Sequence, residues 1–76
     1  MNKEIETEIG SNIRSIRERK VITQEELSQL LRQHGCDITR SALAKIEVGQ
    51  RHIYPDELIL FRELLGVSSE EILHIE

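Results

Sequence analysis

The sequence predicts a compact all-α domain of five helices, and three observations support this fold class. Apolar residues recur at helical spacing in several segments of the chain. They are mainly Ile and Leu, with one Phe, one Tyr and no Trp, which suits small helices packed around one aliphatic core. Cap residues and glycines separate the segments at short intervals. A chain of 76 residues has room for one such domain, which we place at residues 1–76.

A stripe of isoleucines predicts helix one. The spacing within the stripe is i, i+4, i+8 and i+11, and its members are Ile5, Ile9, Ile13 and Ile16. This spacing places all of these side chains on one side of an amphipathic helix. We expect the helix to run to about Lys20.

A capping box marks the start of helix two. The Thr23 hydroxyl can accept a hydrogen bond from the backbone of Glu26, while the Glu26 carboxylate reaches back to the backbone of Thr23. The helix therefore begins at Gln24, and Gly35 supplies a left-handed stop after His34. We expect its inner face to consist of Leu27, Leu30 and Leu31.

Helix three lies between the cap Thr39 and the stop Gly49. A helical wheel at about 100° per residue divides its side chains into two groups. The side expected to face the core carries Ala42, Leu43 and Ile46. The outward side carries Arg40, Ser41, Ala44, Lys45 and Val48. Two cations, a hydroxyl and small apolar groups therefore share one exposed face.

Proline and serine mark the starts of the last two helices. Pro55 suits the first helical position because its missing N–H costs nothing there. Helix four then extends to a stop at Gly66, and its apolar positions are Leu58, Phe61, Leu64 and Leu65. Ser68 and Glu71 form a second capping box. This box opens a last short helix through Ile72, Leu73 and Ile75.

Charge is distributed unevenly along the chain. The net charge of −4 argues by itself against a nucleic-acid partner, since nucleic-acid-binding domains are usually basic. Residues 32–52, however, contain four Lys or Arg residues against two acidic ones. Helix three lies inside this most positive segment. Its outward face suits the major groove, because guanine presents two acceptors to Arg or Lys and thymine presents a methyl group.

Two adjacent segments carry a family resemblance. The stretch "ITQEELSQLL" followed by "ITRSALAKIEVGQR" resembles the Cro and phage-repressor type of helix-turn-helix, also called the XRE type. The resemblance covers about residues 9–73, including "IRSIRERK" and "LLGVSSEEIL". It implies a repressor-like DNA-binding domain with the helix-turn-helix motif at helices two and three, over about residues 23–49. It also implies a sequence-specific transcriptional regulator, in particular a repressor that binds operators as a homodimer.

The resemblance also implies roles for individual residues. The recognition helix, about residues 40–48, would contact base edges through Arg40, Ser41, Ala44 and Lys45. The cap and first residue of helix two would contact phosphate, as would the residues after Gly49. The phosphate contacts implied in this way are Thr23, Gln24, Gln50, Arg51 and His52.

Arg17 and Glu47 are expected to form a structural ion pair. Arg17 follows Ile16 at the inner edge of helix one, and Glu47 lies at the margin of the apolar side of helix three. A pair between them would hold these helices together, and the resembled family commonly has such a pair, partly buried, at these positions.

The sequence departs from the family in one interval. The distance from Thr23 to Glu47 is longer than is common, with extra residues near "RQHGCD", at about residues 32–37. We expect a longer helix two and an altered angle to helix three. Val48 and Ser28 also stand where the family usually has Asn and Ala.

Several other classes of protein are not expected. The single cysteine cannot form an intrachain disulfide, the first ten residues are charged, and the longest apolar run covers only residues 58–61. We therefore expect a cytoplasmic protein without a membrane segment. His34 and Cys36 lack the spacing of a metal site or a nucleophile pair. No enzyme activity, metal, cofactor or small-molecule ligand is indicated.

A protein-interaction module of the same fold, such as an antitoxin-like or accessory protein with little direct DNA binding, is the alternative function. The net acidity of the chain favours it. For the operator-binding homodimer, we expect the dimer surface in the acidic C-terminal region with Ile72, Leu73 and Ile75.

Overall fold

The computed structural model describes residues 2–75 and consists of five helices. Their bounds are α1 Lys3–Arg19, α2 Gln24–Gln33, α3 Arg40–Glu47, α4 Pro55–Leu65 and α5 Ser69–Ile72. Within this range the chain forms no strand, so the predicted five-helix, all-α architecture is confirmed. None of the helices described is long and apolar enough to cross a bilayer.

The helix starts follow the local capping chemistry that the sequence predicts. Thr23 Oγ1 accepts from the Glu26 backbone N–H at 3.0 Å, and the Glu26 carboxylate accepts from the Thr23 N–H at 3.0 Å. Thr39 caps α3 by accepting from the backbone N–H of Ala42 at 3.1 Å. Ser68 opens α5 in the same way. Each of these side chains satisfies a backbone donor that the helix itself leaves unpaired.

The last helix is shorter than predicted. It ends at Ile72, and the prediction that it continues through Leu73 and Ile75 was wrong. The reason lies in α1, where the side chain of Asn12 donates to the carbonyl oxygens of Ile72 at 3.0 Å and of His74 at 2.8 Å. Asn12 therefore holds the segment after α5 in a non-helical path against α1.

The core lies between α1 and the other helices. Helix α1 packs on α3, α4 and α5, and α3 also packs on α2. Of the isoleucine stripe of α1, Ile9, Ile13 and Ile16 are buried, whereas Ile5 in the first turn is 41% exposed. The buried apolar side chains are Ile9, Ile13, Ile16, Leu27, Leu31, Ile38, Leu43, Ile46, Ile53, Phe61, Leu65, Val67 and Ile72.

Helices α1 and α3 approach each other closely at Gly10. This glycine is buried in the middle of α1, and a Cβ atom there would overlap the carbonyl oxygen of Ile46 and lie 3.1 Å from its carbonyl carbon. No side chain larger than hydrogen fits between the two backbones. The absence of a side chain at Gly10 therefore sets the distance of α3 from α1.

The extra residues between α2 and α3 form an anchored turn. The backbone N–H of Cys36 donates to Leu31 O at 2.9 Å, and Ile38 is fully buried in the core. The hydroxyl of Ser28, itself fully buried, donates to Ile38 O at 2.7 Å. Ser28, the departure from the family's usual alanine, thus fixes the turn that leads into α3.

Val21 occupies a strained backbone conformation between α1 and α2. Its φ is +58°, which a β-branched residue rarely adopts, and its side chain is 86% exposed. The left-handed region costs such a residue roughly 1–2 kcal/mol, whereas asparagine tolerates it. We expect Val21→Asn to stabilise the fold by about 1 kcal/mol, a rise in melting temperature of about 4–8 °C.

Thermal unfolding followed by circular dichroism measures this rise. Val48→Asn is the matched control, since Val48 is also exposed but has an ordinary φ of −110°. Equal melting temperatures for Val21→Asn and the unchanged protein would show that the turn stores no strain.

Candidate nucleic-acid interface

Helix α3 presents one face to solvent and the other to the core. Leu43 and Ile46 are fully buried, and Ala42 packs against the core. On the opposite side Arg40, Ser41, Lys45 and Val48 are exposed and Ala44 is half-buried. This division matches the periodicity of the sequence. The middle of the outward face carries only small side chains, with one cation on each side.

Neither cation of α3 has a carboxylate partner among the described residues. Arg40 is the only arginine within residues 2–75 that forms no ion pair with a described carboxylate, and Lys45 has no such pair either. The only acidic residue of α3, Glu47, is buried. The outward face of α3 therefore keeps both positive charges in a protein whose net charge is −4.

The buried acid Glu47 links three parts of the structure. Arg17 donates to it through Nε at 2.7 Å and Nη2 at 3.0 Å, and the two side chains are only 9% and 1% exposed. The pair holds the arginine charged, since hydrogen bonding to Glu47 raises the pKa of Arg17. Arg17 Nη1 also donates to Ile22 O at 2.9 Å, and Gln24 Nε2 donates to Glu47 Oε1 at 3.0 Å. The ion pair expected from the sequence thus connects α1, the start of α2 and the end of α3.

The amino ends of α2 and α3 lie side by side. Thr23, Gln24 and Arg40 line one shallow depression on the surface, together with Arg17 and Glu25. Thr23 and Gln24, which the sequence suggests for phosphate contact, therefore lie next to Arg40, which it suggests for base contact. The depression therefore lies at the amino end of α2, where the helix itself leaves the first backbone N–H groups unpaired.

The loop after α3 is held by carboxylates from two helices. Gly49 ends α3 with a φ of +78°, and a Cβ there would overlap the side chain of Thr7. Arg51 forms a bidentate pair with Glu57 of α4 at 2.9 and 3.0 Å, and its Nη1 also donates to His52 O at 2.8 Å. Burial opposes ionisation of Glu57, but the hydrogen bonds from Arg51 and the Tyr54 N–H outweigh burial and lower its pKa.

His52 binds a second carboxylate, that of Glu6 in α1. The ring Nδ1 lies 2.8 and 3.0 Å from the two oxygens of Glu6. The Glu6 side chain is 5% exposed, whereas the His52 side chain is 71% exposed. The hydrogen bond from His52 lowers the pKa of Glu6 against the opposing effect of burial. Arg51 and the Nδ1 edge of His52 therefore bind carboxylates of the protein itself. The sequence did not indicate these contacts.

His34 and Cys36 lie at the end of α2 and in the turn that follows it. Nδ1 of His34 bonds to Leu30 O at 2.8 Å, and Cys36 is half-buried. Burial, followed by the nearby acids Glu57 and Asp56, raises the pKa of the Cys36 thiol, so the thiol is protonated near neutral pH. The side chains of the described chain include no group of three or more His, Cys, Asp or Glu residues that could hold a metal ion.

The fold and the site together define a class of protein. A short helix with unpaired cations on its exposed face, set beside the capped amino end of the preceding helix, is the arrangement of a helix-turn-helix domain. A comparison with protein families matches residues 13–72 to a helix-turn-helix family. The chain therefore belongs to the Cro/C1 or XRE type of helix-turn-helix proteins, a family of DNA-binding transcription regulators. Searches of curated proteins and of solved structures found no match.

Proposed function

We propose that the protein is a sequence-specific transcriptional regulator, and in particular a repressor, that places α3 in the major groove of operator DNA. The observation that carries this proposal is that the cations on the exposed face of α3 have no carboxylate partners among the described residues. All arginines of residues 2–75 except Arg40 are paired with carboxylates, and the only acid of α3 is buried. An exposed helix face with unpaired donors and small apolar groups matches the acceptors and methyl groups of the major groove.

Base recognition is assigned to four residues of this face. Arg40 and Lys45 flank it and can each donate to guanine, and the Ser41 hydroxyl can donate or accept. Ala44, half-buried between them, offers a methyl group to thymine. The absence of bulky side chains lets the backbone of α3 come close to the base edges.

Positioning on the DNA backbone is assigned to five residues around α3. Thr23 and Gln24 lie beside Arg40, and the Gln24 amide has a second hydrogen beyond the one that binds Glu47. Gln50 is exposed at the end of α3. Arg51 uses Nη1 and Nη2 in its described bonds, which leaves its Nε edge available for phosphate. His52, in the same loop as Arg51, is the fifth residue of this set.

Self-association is part of the proposal. Repressors with this motif bind two half-sites about one helical turn apart, so a homodimer is expected on the operator. Ile72 must be removed from the suggested dimer surface, because it is 1% exposed and belongs to the core. Leu73 and Ile75 remain, at 42% and 44% exposed. Sedimentation of the protein on its selected operator measures the stoichiometry.

Arg40→Ala tests whether α3 reads the bases. A preferred site is first selected from a random duplex library, and affinities are then measured by fluorescence anisotropy at fixed salt. We expect Arg40→Ala to cost about 1–3 kcal/mol on the selected site and to reduce discrimination at one base position, because a bidentate contact to guanine is lost. The loss on scrambled duplex should be smaller.

Two variants serve as controls for this measurement. Arg51→Ala should weaken binding to all sequences alike and reduce the salt slope by about one. Arg19→Ala should leave binding unchanged, because Arg19 pairs with Glu71 of α5. An equal loss for every duplex in Arg40→Ala would show that α3 is not the reading helix.

The alternative function is a protein-interaction module of the same fold. The net charge of −4 favours it. Affinity for bulk duplex DNA at two salt concentrations separates the two functions. DNA binding through phosphate contacts should weaken steeply with salt, whereas an interaction module should bind weakly at both concentrations.

A further inference from the structure

His52 connects a buried carboxylate to the surface next to the proposed DNA interface. It follows α3 in the loop after Gly49, and its exposed ring bonds through Nδ1 to both oxygens of Glu6. The backbone N–H of Ile53 also donates to this carboxylate. Glu6 is therefore fixed on α1 with its oxygens directed at the loop, and the rest of the His52 ring faces outward.

This geometry determines which ring nitrogen carries a hydrogen. An ionised carboxylate can only accept hydrogen bonds, so Nδ1 of His52 must be the N–H that donates to Glu6. In a neutral imidazole Nε2 then has no hydrogen and acts as an acceptor. A phosphate also only accepts. The outward Nε2 can therefore donate to DNA phosphate only when the ring is protonated and carries both N–H groups.

The charged groups around His52 come from α1, the loop and α4. Lys3 and Glu6 of α1 line the same depression as Arg51 and His52, and Tyr54 lines the adjoining one. Arg51 forms a bidentate pair with Glu57 of α4. Of these groups, histidine is the side chain type that changes charge between about pH 5 and 8.

We propose that DNA binding takes up a proton at His52, because Glu6 holds the neutral ring in a form that cannot donate to phosphate. The inference rests on the proposed function, since the proton serves a phosphate contact beside the recognition helix. Binding should be stronger at low pH for all duplex sequences alike, because a phosphate contact carries no sequence information.

The direct test measures affinity for a scrambled duplex at pH 6 and pH 8 over a series of salt concentrations. One additional phosphate contact at pH 6 should make the plot of log affinity against log salt steeper by about 0.9. At fixed salt the affinity should rise roughly three- to tenfold from pH 8 to pH 6 through one charge-assisted hydrogen bond. His52→Gln is the control, since a glutamine amide keeps hydrogen-bond donors but carries no charge at either pH. His34 and His74 are present in both proteins, so the difference isolates His52.

Glu6→Gln provides a second, opposite test. A glutamine amide can donate to Nδ1 while its oxygen accepts from the Ile53 N–H, which allows the neutral ring to carry its hydrogen on Nε2. This variant should bind more tightly at pH 8 than the unchanged protein does, because its neutral ring can already donate to phosphate, and its affinity should change less between pH 8 and pH 6. Circular dichroism at the assay temperature confirms that it is folded. Calorimetry in buffers of different ionisation enthalpy counts protons, and it should detect uptake with the unchanged protein but not with His52→Gln.

The outcomes separate the two proposals. No binding to duplex DNA at either pH would remove the proposed function. Binding with the same pH dependence in the unchanged protein and in His52→Gln, or equal proton uptake in both, would overturn the role of His52 and leave DNA binding intact.

Discussion

Arg17→Ala is expected to destabilise the fold by about 3–5 kcal/mol, because it leaves the buried carboxylate of Glu47 without its charge partner. Glu47 is 4% exposed, and of its described partners only the neutral amide of Gln24 would remain. A loss of this size should lower the melting temperature by more than about 10 °C in a domain of this length.

Arg19→Ala is the matched control. Arg19 lies two residues further along α1, and its pair with Glu71 joins side chains that are 62% and 50% exposed. Such a surface pair contributes about 0–1 kcal/mol. Urea unfolding of both variants compares them directly. Equal midpoints would show that the pair between Arg17 and Glu47 contributes no more than a surface contact.

Gly10→Ala is expected to destabilise the protein by about 1–3 kcal/mol, although replacing glycine with alanine inside a helix usually stabilises it. Alanine normally favours a helix interior over glycine by about 1 kcal/mol. At Gly10, however, the new methyl group would overlap the carbonyl oxygen of Ile46, so α3 must move away from α1. The cost of this overlap should therefore exceed the gain in helix propensity. A loss of stability, rather than a gain, would show that the backbones of α1 and α3 are in contact at Gly10.

Ser11→Ala is the control for helix propensity. Ser11 is the next residue of α1 and is exposed, so its replacement meets no neighbour. It should leave the melting temperature unchanged or raise it slightly. A Gly10→Ala protein as stable as Ser11→Ala would mean that α1 and α3 are further apart than the structure shows. DNA affinity should fall with Gly10→Ala as well, since α3 carries the proposed reading face.

The helix starts were predictable from the sequence because capping is local. The hydrogen bonds of Thr23 with Glu26, and of Thr39 with Ala42, join residues only three apart. The residue types alone specify such contacts. The outward face of α3 was predictable for a related reason, since the helical period assigns each side chain to one of two sides.

Contacts between distant residues were not predictable in this way. The end of α5 depends on Asn12, which reaches Ile72 across 60 positions of the chain. The carboxylates that bind Arg51 and His52 lie in different helices, and no spacing in the sequence connects Glu6 to residue 52. A glycine inside the apolar pattern of α1 was the available signal for the close approach at Gly10, since an isolated glycine in a helix often has a packing reason.

Helix α3 is held on α1 by the close approach of Gly10 to Ile46 and by the pair between Arg17 and Glu47, not by the outward side chains. The orientation of the helix and the chemistry of its exposed face are therefore set by separate residues. Arg40, Ser41 and Lys45 are exposed and form none of the described interhelical hydrogen bonds or ion pairs. Base preference can accordingly be redesigned by exchanging these side chains on an unchanged scaffold, which makes α3 a suitable cassette for engineering new operator specificities.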